Sequence, residues 1–150
     1  FEAALEGFDQ ILWLDGDEHA YAEEAGQMNI FFRIGDEVIT PELSGTILPG
    51  VTRDSVLSLL KQWGIKATAR RISMTELRQA AESESLLEIF GAGTAAVVVP
   101  VDSIQYQDFD IRACPPSANS LSQRLFQSLL GIQHGQVDDT NNWIQFVDIE

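Results

Sequence analysis

Three short stretches of the chain combine residue types that can do chemistry. The first is 48–53, Leu-Pro-Gly-Val-Thr-Arg, which runs straight into an apolar repeat of helical spacing. Backbone N–H groups at a helix start have no partner within the helix, and the macrodipole makes that end positive, so an anion is favoured there. Gly50 allows close backbone approach to such an anion, and Thr52 adds a hydroxyl donor. An ordinary helix start is the competing reading, since proline and glycine are common punctuation. The second stretch is 91–96, Gly-Ala-Gly-Thr-Ala-Ala. Its small residues leave room for a ligand against the backbone, with Thr94 as a second hydroxyl; a tight turn between packed strands would demand the same glycines. The third is 23–29, Glu-Glu-Ala-Gly-Gln-Met-Asn, at the entrance to an apolar strand. It reads either as a carboxylate held beside a cationic group or as a solvated acidic turn.

The remaining residues of chemical interest are sparse. Cys114 is the one cysteine, and with His19 and His134 far apart in the sequence it makes poor material for a zinc site, so no metal is expected. Both histidines sit in polar or glycine-bounded turns and read as surface residues. The chain carries 23 acidic residues against 9 basic ones, a net charge of −14, which repels a phosphate backbone and argues against nucleic acid. Eight of those acids fall in the first 24 residues, with no basic residue among them, as a solvated face or as an edge that faces other parts of a longer protein. No apolar run approaches a membrane span, and the first residues have no signal-peptide pattern. The expected location is the cytoplasm, or the mitochondrion if a transit segment precedes Phe1.

The elements that must position these stretches follow from hydrophobic period. Residues 1–6 read as the end of a helix. The run 11–14 reads as a buried strand closed by the Asp15-Gly16 turn, and 28–33 with 37–40 as a hairpin around Gly35-Asp36. Val56, Leu59, Leu60 and Trp63 share one face of a helix that Gly64 can terminate. Residues 66–72 alternate as a strand. Ser73 and Glu76 form a capping box for a helix to about Glu82, and 86–101 reads as two buried strands joined by a tight turn. A last helix follows the Pro115-Pro116 break with Ser120 and Gln123 at its cap, and 143–147 alternates as a closing strand. The sum is one domain over 1–150, a mixed α/β or α+β fold.

Taken in order, the three stretches and their flanks resemble the branched-chain amino-acid aminotransferases, pyridoxal-phosphate enzymes of fold type IV. The matching strings are Gln-Ile-Leu-Trp-Leu-Asp-Gly at 10–16, Glu-Ala-Gly-Gln-Met-Asn-Ile-Phe at 24–31, and Leu-Ser-Gly-Thr-Ile-Leu-Pro-Gly-Val-Thr-Arg at 43–53. Phe-Gly-Ala-Gly-Thr-Ala at 90–95, the Gly-Ile-Gln-His-Gly tail at 131–135 and Trp143 complete the set. The resemblance implies the large C-terminal domain of that fold, incomplete at its N-terminus. It implies that Glu24 faces the pyridine nitrogen of pyridoxal 5'-phosphate and that Gly50, Val51 and Thr52 hold its phosphate. Leu48 would pack on the ring, while Thr94 and Ala95 would complete the phosphate and substrate-carboxylate site.

Some positions depart from the family. Gln27 stands where many members carry threonine or glutamate, and Ala96 and Val99 replace the Cys-x-x-Cys pair of some relatives. More consequential, the Schiff-base lysine of the family lies in a Lys-x-Gly-Gly-Asn-Tyr stretch upstream of the Trp-Leu strand, and this sequence begins after it. Its two lysines, Lys61 and Lys66, match no such motif and read as surface residues. Without that amine there is no covalent link to the cofactor and no base to move the α-proton, so no transamination by this chain alone is expected, and cofactor binding should be weak or lost. Three roles follow: a portion of a branched-chain transaminase, a homologue repurposed as a binding or scaffold module, or an enzyme of lysine-independent chemistry in the inherited pocket. The candidate partners are a second copy in a homodimer, the missing N-terminal part, or another chain.

Overall fold

A computed structural model of the chain describes residues 7–115, 119–145 and 147. Its spine is β3 (Met28–Ile34), whose run Met-Asn-Ile-Phe-Phe-Arg-Ile places apolar side chains on both faces of the sheet. On one side β3 pairs antiparallel with β2 (Ala22–Ala25) through its first residues and with β4 (Glu37–Thr40) through its last. Along its other side runs β6 (Leu86–Gly93), from Asn29↔Ala92 to Ile34↔Leu86. β1 (Leu12–Leu14) extends the sheet beyond β2, and β7 (Val97–Val101) pairs antiparallel with β6. Helix α1 (Val51–Gln62) links β4 to the parallel strand β5 (Lys66–Ala69). Helix α2 (Met74–Glu82), the small sheet of β8 (Ser103–Tyr106) and β9 (Phe109–Arg112), and helix α3 (Leu121–Gln133) complete the described elements.

The sheet separates two cores. Ile30, Phe32, Ile39 and Ile89 face α2 and the β8–β9 pair, with Met74, Leu77, Ile104 and Ile111 packed against them. The alternate residues Phe31, Val38, Phe90 and Ala92 face α1 and α3 and pack on Val56, Leu60, Leu125 and Leu129. Phe31 and Phe90, paired across β3 and β6, stack with centroids 5.1 Å apart. Burying side chains of this size stabilises by roughly 1.5–3 kcal/mol each, which fixes the register of both strands.

The helices and both long hairpins lie where the sequence puts them, and Gly64 ends α1 with φ +67°. Other expectations are corrected. β1 is not a buried strand: Ile11 is 45% and Trp13 54% exposed, because β1 is an edge with solvent on its outer face. The strand read over 66–72 stops at Ala69; the Ile72 carbonyl then accepts from Ala22 N–H at 3.0 Å, carrying the chain from the β4 side of the sheet to the β2 side. Half of the capping box forms. The Ser73 hydroxyl accepts from Glu76 N–H, but the Glu76 carboxylate turns to Arg70 instead of returning to the cap. Residues 143–145 and 147 form no strand; a hydrogen bond from Ile144 N–H to Asp139 bends this segment back on itself. The helix end read at 1–6 and Phe146 fall outside the described residues.

Asp15 closes the β1–β2 connection by accepting from the N–H groups of Glu18, Ala20 and Tyr21 at 2.8–2.9 Å. The Glu18 and Tyr21 amides, with the Ala20 amide and the nearby Arg71, hold its carboxyl at about 2.

Candidate functional site

One row of residues crosses five strands in register: Trp13, Glu24, Asn29, Ala92 and Val98. Directly opposed residues of antiparallel strands share a face. Ala92 and Val98 belong to the core beneath α1 and α3, so Glu24 and Asn29 point to that side as well. The start of α1 comes down on this row. Leu48 N–H donates to Glu24 Oε1 at 3.0 Å, and Asn29 Nδ2 donates both to the same oxygen at 3.1 Å and to the Leu48 carbonyl at 2.9 Å. The first and third chemical stretches, 48–53 and 23–29, are thereby one site.

Within it, both bonds to the Glu24 carboxylate fall on Oε1, and among the described residues nothing donates to Oε2. The α1 N-cap is Gly50, which offers no side chain, and the first donor of the helical ladder is Asp54, to the Gly50 carbonyl at 3.1 Å. The N–H groups of Val51, Thr52 and Arg53 therefore find no acceptor among the described residues. Arg53 is buried, and its guanidinium donates to the Pro41 carbonyl at 3.0 Å, while its Nε has no partner among them. Burial lowers its pKa against a smaller opposing pull from the Asp54 carboxylate, and no carboxylate of the described residues forms an ion pair with it. The free end of α1 thus gains a buried positive charge beside unpaired donors. Leu48 and Val51 flank these donors as exposed apolar surface, 67% and 82% accessible.

The second stretch behaves differently. Thr94 and Ala95 are exposed in the turn between β6 and β7, at the same end of the sheet as the Gly26-Gln27 turn. No hydrogen bond among the described residues joins them to Glu24 or to the start of α1. The space left by Gly91 and Gly93 is taken by the chain itself: a Cβ on either would meet the Met28 side chain at 3.0–3.1 Å. These glycines serve strand packing, the second of the two readings open from sequence. Val97 closes the turn with φ +59°, a conformation that costs a β-branched residue about 1–3 kcal/mol.

Asn29 and Arg53 were missed as individual site residues in the sequence. Asn29 left a signal, a polar residue inside an otherwise apolar strand. Arg53 left none, because an arginine in the first turn of a helix reads as solvated. Lys61 and Lys66 lie away from the site. Lys61 is exposed in the last turn of α1, about 15 Å along the axis from its start, and Lys66 pairs with Glu37 at 3.2 Å. The larger of the two cavities described, about 620 Å3, is on the other face, lined by Met28, Ile30, Met74 and Ile104. Among the described residues no cluster of potential metal ligands occurs, and no helix is long and apolar enough to cross a membrane.

The chain and its mixed sheet match a known class. Residues 1–104 match the family model for class IV aminotransferases, and the chain belongs to that family. Its similarity is to the branched-chain members. It is 46% identical over 137 residues to a probable branched-chain-amino-acid aminotransferase of Staphylococcus aureus, covering 91% of this chain and 38% of that protein. It is 45% identical over 141 residues to branched-chain-amino-acid aminotransferase 2 of Bacillus subtilis, covering 94% of this chain and 39% of the relative. The chain therefore spans about two fifths of the length of these relatives. Among solved structures, a T.th. branched-chain amino acid aminotransferase complexed with N-(5'-phosphopyridoxyl)-L-glutamate superposes with a TM-score of 0.79 at 29% identity, covering 98% of this chain and 45% of that one. The Escherichia coli enzyme gives 0.74 at 28% identity, covering 95% of this chain and 44% of that one. The fold is that of the type IV aminotransferases, as the motif order implies.

Proposed function

We propose that residues 1–150 are one partial large domain that provides the ring and phosphate contacts for pyridoxal 5'-phosphate in a branched-chain amino-acid transaminase. The observation that carries this reading is the joined pair of unsatisfied groups, Glu24 Oε2 and the Val51–Arg53 amides, held together through Asn29 and Leu48. They suit the two ends of the cofactor. A carboxylate oxygen with no donor fits a protonated ring nitrogen, and unpaired amides at a helix start with a buried guanidinium behind them fit a phosphate dianion. The exposed side chains of Leu48 and Val51 offer apolar surface for the ring between those ends.

When bound, pyridoxal phosphate supplies an electron sink conjugated to the substrate α-carbon. Glu24 would keep the ring nitrogen protonated, so that the ring can accept electron density. Gly50, Val51 and Thr52 would orient the phosphate, with Thr52 adding its hydroxyl. Thr94 and Ala95, across the β6–β7 turn, would meet the remaining phosphate oxygens and the substrate carboxylate. Neither lysine of the chain can act at this site, since Lys61 stands at the far end of α1 and Lys66 is engaged with Glu37. Amino transfer therefore needs an amine from outside these 150 residues, and the N-terminal portion found in longer relatives or another chain is the proposed source.

The test is a titration with pyridoxal phosphate followed by absorption and tryptophan fluorescence. Saturable binding is expected, with Glu24→Gln lowering affinity roughly tenfold through loss of a charge-assisted hydrogen bond. Adding leucine should leave the bound cofactor in its aldehyde oxidation state. Conversion to pyridoxamine phosphate by the chain alone, or full affinity in Glu24→Gln, would overturn the reading.

A further inference from the structure

Asn29 touches both halves of the proposed site and is 5% exposed, on a strand buried on both faces. Its two amide hydrogens are fully used, one on Glu24 Oε1 and one on the Leu48 carbonyl. Both partners are acceptors, so the orientation of the amide is set by chemistry: its nitrogen must face them and its oxygen must face away. That oxygen lies against Gly50, where a Cβ would meet Asn29 Oδ1 at 2.3 Å. The backbone of Gly50, φ −66° and ψ 136°, is open to any residue. Conformation therefore does not demand glycine at position 50; the space taken by Asn29 does.

We infer that Asn29 is the positioning residue that locks the carboxylate of Glu24 and the phosphate-facing turn 48–50 into one rigid unit, and that position 50 is glycine because Asn29 occupies the place of its side chain. The inference rests on the cofactor reading above for its functional meaning, and on geometry alone for the contact. Val51, Thr52 and Arg53 follow directly from the turn that Asn29 holds, so where their amides stand relative to Glu24 is fixed by one buried side chain of β3. The distance between the ring-nitrogen contact and the phosphate contact is set in the same way. A ligand carrying both groups gains from that spacing, whereas a ligand carrying only the phosphate does not.

A double-mutant cycle on the 150-residue chain separates these roles. Thermal stability, affinity for pyridoxine 5'-phosphate and affinity for inorganic phosphate are measured for wild type, Asn29→Ala, Gly50→Ala and the double variant. Pyridoxine 5'-phosphate has no aldehyde and cannot attach to a lysine. Gly50→Ala is expected to lower the melting temperature and both affinities in the wild-type background, and to add little once Asn29→Ala has removed the obstruction. Asn29→Ala should weaken pyridoxine 5'-phosphate roughly tenfold, as Glu24→Gln does, and inorganic phosphate by no more than about twofold. A second variant at position 29 guards against a folding failure of the alanine variant. An aspartate would set a buried charge against the two acceptors that Asn29 serves, so the guard is better made with Asn29→Leu, which keeps the volume. The penalty of Gly50→Ala should persist beside it, while its lost donors still weaken the two-ended ligand. Equal effects of Gly50→Ala in the wild-type and Asn29→Ala backgrounds, or unchanged pyridoxine 5'-phosphate affinity in Asn29→Ala, would overturn the inference. If the wild type binds neither ligand, the cofactor reading fails, and the stability cycle alone still decides whether Asn29 and Gly50 are coupled.

Discussion

The starts of α1 and α3 solve the same problem in opposite ways. Each helix begins with backbone N–H groups that its own ladder cannot use. At α3 all three are satisfied from within. The Glu88 carboxylate accepts from Leu121 N–H at 2.7 Å and Ser122 N–H at 2.9 Å, and the Ser120 hydroxyl accepts from Gln123 N–H at 3.3 Å. Glu88 in turn pairs with Arg33 at 2.9 Å. At α1 the N-cap is a glycine, the amides of Val51, Thr52 and Arg53 are unmatched among the described residues, Asp54 of the first turn accepts from none of them, and the Glu24 carboxylate is bound to the turn before the helix. One end carries its anion as part of the chain; the other has no acceptor among the described residues. A helix start closed by a buried carboxylate contributes to the fold, and one left open is a stability debt that a ligand can cancel.

The comparison is broken most severely at Glu88. Burial pushes its pKa up, but hydrogen bonds from Ser122 and Leu121 N–H, from the Ser122 hydroxyl and from Arg33 outweigh that and hold it below the ordinary 4.5. Replacing it by glutamine should destabilise the chain by about 3 kcal/mol, since Leu121 N–H, Ser122 N–H and the Ser122 hydroxyl lose a charged acceptor and the part-exposed Arg33 loses its partner. For a domain of this size the melting temperature falls by roughly 10 °C. Because the folded-state pKa is depressed, the stabilisation is present above the ordinary carboxylate value and is lost as pH falls through the lower folded value. Acid melts should show wild type and Glu88→Gln converging below that value.

Smaller effects sharpen the contrast. Ser120→Ala removes one of the three satisfied amides of α3 and should cost about 1 kcal/mol, read in urea denaturation. Thr52→Val at the open end should change the stability of the ligand-free chain by less than about 0.5 kcal/mol. Inorganic phosphate at about ten times its dissociation constant should stabilise wild type by roughly 1.4 kcal/mol, and Thr52→Val less at the same concentration. If phosphate stabilises both equally, the hydroxyl of Thr52 has no part in the anion contact.

Much of this was legible because period and punctuation are local. The apolar spacing of Val56, Leu59 and Leu60 with Gly64 beyond them defines α1, and Ser120 marks the start of α3. The strands that escaped notice lack such marks. β2 is Ala-Glu-Glu-Ala, polar at its centre, and takes its strand character from pairing with β1 and β3. β8 and β9 alternate weakly, and their turn uses Gln107 at φ +52° in place of a glycine. The tail 143–147 has a strand's pattern but no partner among the described residues, and pattern without a partner does not make a strand. For the site, composition shows that a carboxylate and a helix start exist. That they are one site depends on Asn29 reaching Leu48, 19 positions away, which no local rule reports.

The outer edge of the sheet carries a last consequence. Among the described residues β7 pairs with β6 alone, and its sequence is Val-Val-Val-Pro-Val. An edge of consecutive valines is a template on which another polypeptide can lay a strand. Pro100 has no N–H to offer, so the ladder an intruding chain would need is interrupted one residue from the strand's end. The edge therefore contains its own protection against aggregation, and the protection consists of a missing hydrogen atom.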